Sequence, residues 1–223
     1  MIRLESIWKT YDLGEVKVNA LADVSLEIER GEFVAIMGPS GSGKSTLLNI
    51  IGILDNLTGG RYYLEDYDIT ALSDREQARI RNKHFGFVFQ SFNLFTELSA
   101  LENVMLPMSY AGVPPRERRV RAQELLSSLG LAHRLHHLPS MMSGGEQQRV
   151  AIARAMANDP DLILADEPTG NLPSDKGEEV LQSLESLNRQ GVTIIMVTHN
   201  EAQGNRANRR IRIQDGKLEG ALR

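Results

Sequence analysis

The chain contains no cysteine, so it can build neither a disulfide nor a thiolate metal site, as fits a reducing compartment. It also lacks an excess of positive charge. With 25 Lys and Arg against 29 Asp and Glu the formal net charge is −4, which leaves no global basic field to hold nucleic acid. Long apolar runs are missing too. The longest, such as Thr193-Ile194-Ile195-Met196-Val197, fall far short of the roughly 20 residues that a membrane-crossing helix needs. Met1 to Ile7 alternate like a strand and do not form the apolar block of a secretion signal. There is no repeat, low-complexity tract or linker. These absences predict a cytosolic protein without a nucleic-acid partner, reaching any membrane through another subunit. With 223 residues, 41% of them hydrophobic and 24% charged, a sizeable core needs no covalent staples.

What is present is a phosphate loop. Gly38-Pro39-Ser40-Gly41-Ser42-Gly43-Lys44-Ser45 follows the apolar run Phe33-Val34-Ala35-Ile36-Met37 and leads into Thr46-Leu47-Leu48-Asn49-Ile50-Ile51, the order strand, loop, helix. The glycines let backbone N–H groups turn inward around phosphate oxygens, and the positive end of the following helix favours the same anion. Lys44 would reach the β- and γ-phosphates of a nucleoside triphosphate, and the Ser45 hydroxyl would ligate its Mg²⁺. The bare pattern arises by chance in roughly one chain per hundred of this length; strand and helix flanks make coincidence rarer.

Residues 1–30 read as β-rich, with Ile2 and Leu4 on one strand and Val24, Leu26 and Ile28 on another. A hairpin is expected near Gly59-Gly60, a capped helix from Ser73 with Glu76, and a buried strand over Phe85-Gly86-Phe87-Val88-Phe89. From about 91 to 158 the texture is helical. Pro114-Pro115 opens one helix, Leu125, Leu126 and Leu129 give it an apolar stripe, and Gly130 suits its C′ position. After Asp159-Pro160, strand and helix alternate again, with strands at 162–165 and 192–197 around a helix from about 174 to 188. That order predicts an α/β fold, a mostly parallel sheet wrapped by helices with a helical insertion.

Two further segments carry chemistry. Leu162-Ile163-Leu164-Ala165-Asp166-Glu167 is an apolar strand ending in two carboxylates, and parallel sheets place ligand groups at that end. Asp166 would hold Mg²⁺ and Glu167 would polarise the attacking water. Ser143-Gly144-Gly145-Glu146, ahead of a helix, forms a second candidate anion site. One chain needs only one triphosphate cradle, so the duplicate needs a reason.

The phosphate loop, Gln90, Met142-Ser143-Gly144-Gly145-Glu146, the strand to Glu167, and His199 occur in the order and spacing of ABC ATPase domains, and the chain resembles that family over nearly its whole length. The wording Ser143-Gly144-Gly145-Glu146-Gln147-Gln148-Arg149, with Ala165-Asp166-Glu167-Pro168-Thr169-Gly170-Asn171-Leu172, is most similar to the lipoprotein-release and macrolide-export (LolD/MacB-like) branch. The resemblance implies a P-loop NTPase core with an N-terminal antiparallel β subdomain: residues 1–90 and 159–223 as core, and 91–158 as helical subdomain. It implies that Tyr11 stacks on adenine, with Trp8 a lesser candidate, and that Thr46 joins the octet in holding ATP. Gln90 would touch Mg²⁺ and the lytic water, and His199 would contact the γ-phosphate and support Glu167. Ser143, Gly144, Gly145 and Glu146 would complete the ATP site of a second copy, so a head-to-tail homodimer encloses two ATPs. A transmembrane permease would dock near Gln90 to Met108, in the apolar stretch Ser91-Phe92-Asn93-Leu94-Phe95-Thr96-Glu97-Leu98 and at Leu106-Pro107-Met108. The run Arg116, Arg118, Arg119 and Arg121 reads as a solvated face. The sequence departs from the family at three places, one of them Met142 for the usual leucine, a near volume-conserving swap. Pro173 stands where an Asp is usual, and proline fixes φ and removes a donor. Glu146 stands where glutamine is commoner, adding a negative charge beside the second copy's phosphate.

Overall fold

The computed structural model describes residues 1–12, 14 and 16–222. The chain divides into two compact units, residues 1–79 with 193–223, and residues 80–192. In chain order the first unit carries β1 (Ile2–Asp12), β2 (Lys17–Ile28), β3 (Phe33–Met37), α1 (Lys44–Ile51), β4 (Gly59–Leu64) and β5 (Tyr67–Asp68). The chain passes to the second unit within α2 (Asp74–His84), and there forms β6 (Phe85–Phe89), α3 (Ala100–Tyr110), α4 (Pro115–Ser128), α5 (Gly144–Ala155), β7 (Leu162–Asp166) and α6 (Ser174–Arg189). It returns to the first unit with β8 (Thr193–Val197), α7 (Glu201–Gly204), β9 (Arg209–Gln214) and β10 (Lys217–Leu222). This division groups β6, β7 and α6 with the helices, whereas the change of sequence texture falls at 91 and 158.

In the first unit, β1 pairs antiparallel with β2 on one side and β4 on the other, and β5 extends the sheet. Along β1 the alternation changes phase. Ile2 and Leu4 are buried, then the register shifts, Ser6 takes a left-handed φ of 47°, and Ile7 and Lys9 continue the buried face. An inserted bulge residue moves every later side chain to the opposite face. This is how a lysine comes to lie inside a strand-rich unit. The central β3 has all five residues buried and pairs in parallel with β8 and β9, the continuous apolar pattern of a strand covered on both faces. The hairpin of β9 and β10 has no counterpart in the sequence reading above. Its signals are the alternation Arg209-Arg210-Ile211-Arg212-Ile213 and the turn Asp215-Gly216, both at positive φ, the dipeptide that a type I′ turn favours.

In the second unit, β6 and β7 pair in parallel, with Phe89 opposite Asp166. Helices α3, α4 and α5 share a core in which Val104, Met108, Leu126, Leu131, Val150 and Ala153 are buried. Pro114 caps α4, and Gly130 follows its C-terminus at φ 74°, as the sequence predicts. Ser99 and Glu102 form a reciprocal capping box at α3. Met108 is only 2% exposed inside this core, so that residue of the expected docking stretch is packing; Phe95, 51% exposed, faces outward. Among the described residues no helix is long and apolar enough to cross a membrane.

Leu126 is fully buried in the helical core. Leu126→Ala should destabilise the protein by about 2–5 kcal/mol, since deletion leaves a cavity that close-packed helices fill only partly. A lowered urea midpoint by circular dichroism is the expected result, and an unchanged midpoint would contradict the packing.

Candidate functional site

The predicted residues fall in both units. Tyr11, the octet from Gly38 to Ser45, Thr46 and His199 belong to the first; Gln90, Ser143 to Glu146, Asp166 and Glu167 belong to the second.

In the first unit the loop leaves β3 and enters α1 at Gly43, which caps the helix at φ 102° and offers no side-chain hydrogen bond to it. A Cβ at Gly43 would stand 2.5 Å from the Ala20 carbonyl oxygen, so glycine is required by space as well as by φ. The first-turn N–H groups of α1 are therefore not satisfied by a cap of the chain's own and suit an anion. Lys44 is buried, and its Nζ donates to the Gly38 and Pro39 carbonyls at 3.0 and 2.7 Å. That keeps its charge inside the loop. The Ser42 hydroxyl is buried without a hydrogen-bond partner, a polar group that a ligand of the loop would find available. The β9–β10 turn holds the loop from behind. The Gly216 N–H donates to the Ser42 carbonyl at 3.0 Å, and the Gly216 carbonyl accepts from Ala22 at 2.9 Å.

His199, exposed just past β8, lines a cleft of about 340 Å³ with Met37, Gly38, Pro39, Glu201 and Arg212, so it shares a wall with the start of the phosphate loop. Tyr11 lies on the other flank. Its hydroxyl donates to Asp55 Oδ2 at 2.7 Å and shares a hydrogen bond with Thr46 of α1. The bulge-inverted Lys9 donates to Asp55 Oδ1 at 2.6 Å and to the Asn56 carbonyl at 2.7 Å, and its ammonium lies 4.7 Å from the centre of the Tyr11 ring. Burial, then the hydrogen bond to Asp55, raises the Tyr11 hydroxyl above its usual range. Burial pushes the Asp55 carboxyl up, but bonds from Lys9 and Tyr11 outweigh it and hold it below. Lys9 and Asp55 thus fix the ring, and the sequence alone does not reveal them, because the bulge that turns Lys9 inward is a tertiary feature. Trp8, the neighbour on the opposite face, is 41% exposed.

In the second unit, Glu167 follows β7 with φ 42°, a left-handed conformation costly for a residue with a Cβ. Gly170 closes the turn by donating to the Glu167 carbonyl at 2.9 Å. The same turn grips Gln90. Asn171 Nδ2 donates to the Gln90 carbonyl at 3.1 Å, and Gln90 Nε2 donates to Asn171 Oδ1 at 3.2 Å. Parallel pairing of Phe89 with Asp166 already sets Gln90 beside the carboxylate pair. A further residue joins them. Gln148, fully buried on α5, donates from Nε2 to the Phe89 carbonyl at 3.3 Å and to the Pro168 carbonyl at 2.7 Å, tying the helix to the residues flanking Gln90 and Glu167. Arg154, one face further along α5, donates to the carbonyls of Phe92 and Asn93. Both acceptors have positive φ, so the loop after Gln90 is held in a strained path. Sequence reading missed Gln148 and Arg154 as site supports; the only signal was polar residues on the buried side of an apolar helix.

The start of α5 is closed where that of α1 is open. Ser143 accepts from the Glu146 N–H at 3.3 Å, and Glu146 Oε2 accepts from the Ser143 N–H at 2.8 Å and hydroxyl at 2.9 Å. Glu146 Oε1 accepts from Arg134 Nε at 2.8 Å. The Ser143 amide bond, against the opposing effect of burial and aided by the Ser143 hydroxyl and Arg134, lowers the Glu146 carboxyl to about 2. Pro173 caps α6 at φ −56° without a side-chain bond, and Asp175 is exposed in the first turn. No group of three or more His, Asp or Glu side chains forms a ready metal cage among the described residues. Mg²⁺ characteristically takes only one or two protein ligands together with substrate phosphates, so its binding does not call for such a cage.

The ABC transporter family matches this sequence over residues 21–170, more than half of the chain. An uncharacterised ABC transporter ATP-binding protein of Thermotoga maritima is 55% identical, covering all of this chain and 95% of that protein. The macrolide export ATP-binding/permease protein MacB of Brucella melitensis is 53% identical over 98% of this chain, which spans only 34% of MacB. A dimeric structure of the ATP-binding cassette MJ0796 in a post-hydrolysis state with ADP and Pi superposes with a TM-score of 0.92 at 47% identity, covering 100% of this chain and 98% of that one.

The Glu146 carboxyl sits at about 2 against an ordinary 4.5. A lowered folded value stabilises fully above the unfolded value and loses that contribution as pH falls through the folded one. Between pH 4.5 and 2 the urea midpoint of Glu146→Gln should therefore decline less steeply than that of the parent, and parallel curves would count against the capping role.

Proposed function

This chain belongs to the ABC transporter family, and from that membership we propose that it is the ATP-binding and ATP-hydrolysing subunit of a membrane ABC complex, acting as a homodimer on a transmembrane permease. The observation that carries the reading is the start of α1, a helix N-terminus left without a side-chain cap, with a buried ammonium held in the loop before it. That is an anion cradle shaped for a triphosphate. The similarity to a dimeric cassette that holds ADP and Pi supports ATP as the nucleotide.

Lys44 moves from the loop carbonyls to the β- and γ-phosphates, while the amides of the octet and the Thr46 turn hold the remaining oxygens. Tyr11, fixed by Asp55 and Lys9, presents its ring to adenine. Ser45, Gln90 and Asp166 would hold Mg²⁺, which when bound would neutralise phosphate charge and orient the transferred group. Glu167, raised off the strand path by its left-handed backbone, takes the proton of the attacking water, and His199 contacts the γ-phosphate. Ser143, Gly144 and Gly145 of a second copy complete each site, which explains why one chain carries two anion-binding helix starts. Closure on ATP and opening after hydrolysis move the permease through the loop after Gln90, where Phe95 is exposed. The protein then works on the cytoplasmic face of the membrane, held there by its partner. Macrolide export is named for relatives three times longer in extent than their match to this chain and is not carried over; substrate choice lies with the permease.

A second reading, a slow regulatory ATPase, is favoured by Pro173, whose fixed φ and missing N–H reshape the turn after Glu167.

Two measurements test these readings. Glu167→Gln should bind ATP, lose turnover by about 10²- to 10⁴-fold, and accumulate an ATP-bound dimer on size-exclusion chromatography with light scattering; turnover at the parent's rate would remove Glu167 from catalysis. Pro173→Asp should raise the steady-state ATPase rate or its Hill coefficient. It should also stabilise α6 by about 1 kcal/mol, because Asp is a good cap. A more stable variant with unchanged kinetics would discard the regulatory reading.

A further inference from the structure

We propose that Arg134 is a positioning residue for ATP-driven dimerisation, the counter-charge that lets the signature segment of one copy accept the triphosphate of the other although Glu146 stands in it. This rests on the reading of Ser143 to Gly145 as completing the second copy's site.

The two anion-binding helix starts differ in charge. At α1 an incoming phosphate meets Lys44; at α5 it meets a carboxylate three residues into the helix. Glu146 is largely covered, with 14% of its side chain exposed, and both its oxygens are engaged. The Ser143 hydroxyl has one proton, and Oε2 of Glu146 holds it at 2.9 Å. A phosphate oxygen arriving at Ser143 therefore competes with a carboxylate for that proton and is repelled by the same charge.

Arg134 acts on both effects. It is not on α5 but in the turn after α4, where its N–H donates to the Leu131 carbonyl and its carbonyl accepts from His137, each at 2.9 Å. The guanidinium is thus delivered by a fixed backbone to Oε1, on the side of the carboxylate away from the serine bonds. It cancels the charge that the triphosphate would face, and by drawing electron density to Oε1 it loosens the hold of Oε2 on the Ser143 hydroxyl. Removing the arginine exposes the phosphate to an uncompensated anion; removing the carboxylate makes the arginine dispensable. A purely structural ion pair of this exposure contributes little to stability and predicts no such dependence.

Four proteins in the Glu167→Gln background test this: the parent, Arg134→Gln, Glu146→Gln, and the double variant. Dimer formation is followed by sedimentation velocity across a MgATP titration, and MgADP binding to the monomer is measured by calorimetry. Arg134→Gln should raise the half-maximal MgATP concentration for dimerisation about tenfold with MgADP affinity unchanged, and the double variant should return to within about twofold of Glu146→Gln. If the double variant stays as impaired as Arg134→Gln, or if Arg134→Gln dimerises like the parent, the proposal is overturned. If Arg134→Gln does not fold, Arg134→Lys, which keeps the charge, should dimerise within about threefold of the parent; a tenfold loss that Glu146→Gln fails to recover is equally fatal. A parent that stays monomeric at saturating MgATP overturns the head-to-tail reading itself, and this inference with it.

Discussion

A helix begins with backbone N–H groups that have no partner within the helix, and the two chemically important helices of this protein resolve that constraint in opposite ways. At α1 the cap is a glycine without a side-chain acceptor, so the donors are left for a ligand. At α5 the cap is a serine locked in a reciprocal box with Glu146 and backed by Arg134. The first arrangement recruits an anion strongly, since Lys44 adds a full charge to the partial charge of the helix end. The second is satisfied in the single chain, so on the proposed function it would accept an anion only by exchange. On the proposed function, the first start would hold ATP in the single chain and the second would close on the ATP of another copy.

The remaining architecture keeps these helix starts and their companion side chains in place. In the first unit a bulge at Ser6 turns Lys9 inward, Lys9 and Tyr11 converge on Asp55, and the turn at Gly216 braces the phosphate loop through Ser42. In the second, Gln148 reaches from α5 to the carbonyls beside Gln90 and Glu167, while Asn171 clasps Gln90. None of these contacts involves a large apolar area. Apart from the exposed Asn171–Gln90 clasp, they are hydrogen bonds made in or near the interior, where an unmade bond costs more than a made one gains, so each such group constrains position more than it adds stability.

Most elements up to β8 were legible because their periods are unambiguous, with apolar runs for β3, β6, β7 and β8 and glycine or proline at the expected ends of α4, whereas α3 was read only as part of a helical texture. The Ser73 helix start was legible in the same way, and the structure has the Ser73 N–H donating to Glu76. The β9–β10 hairpin was not anticipated, although Asp215-Gly216 marks it, because arginines at alternate positions read as a polar tail until a sheet covers the isoleucines between them. Met108 was assigned to a docking face on its apolar neighbours, but a helical stretch with Leu106 and Pro107 has two apolar sides, and packing on Leu126 and Val150 takes one of them.

By itself the sequence determined the fold class and marked the phosphate loop, the carboxylate pair and the signature segment as candidates, since each is a local pattern whose expected chemistry follows from residue type and spacing. The anomaly of Glu146 was visible too, but not its resolution. Tertiary structure alone decided that Arg134 meets that carboxylate, that Lys9 and Asp55 aim Tyr11, and that Gln148 joins the residues beside Gln90 and Glu167. The physical reason is the same for all of them. A polar side chain acquires its function from the partner that desolvation forces it to find, and that partner is chosen by the path of the backbone rather than by distance along the chain.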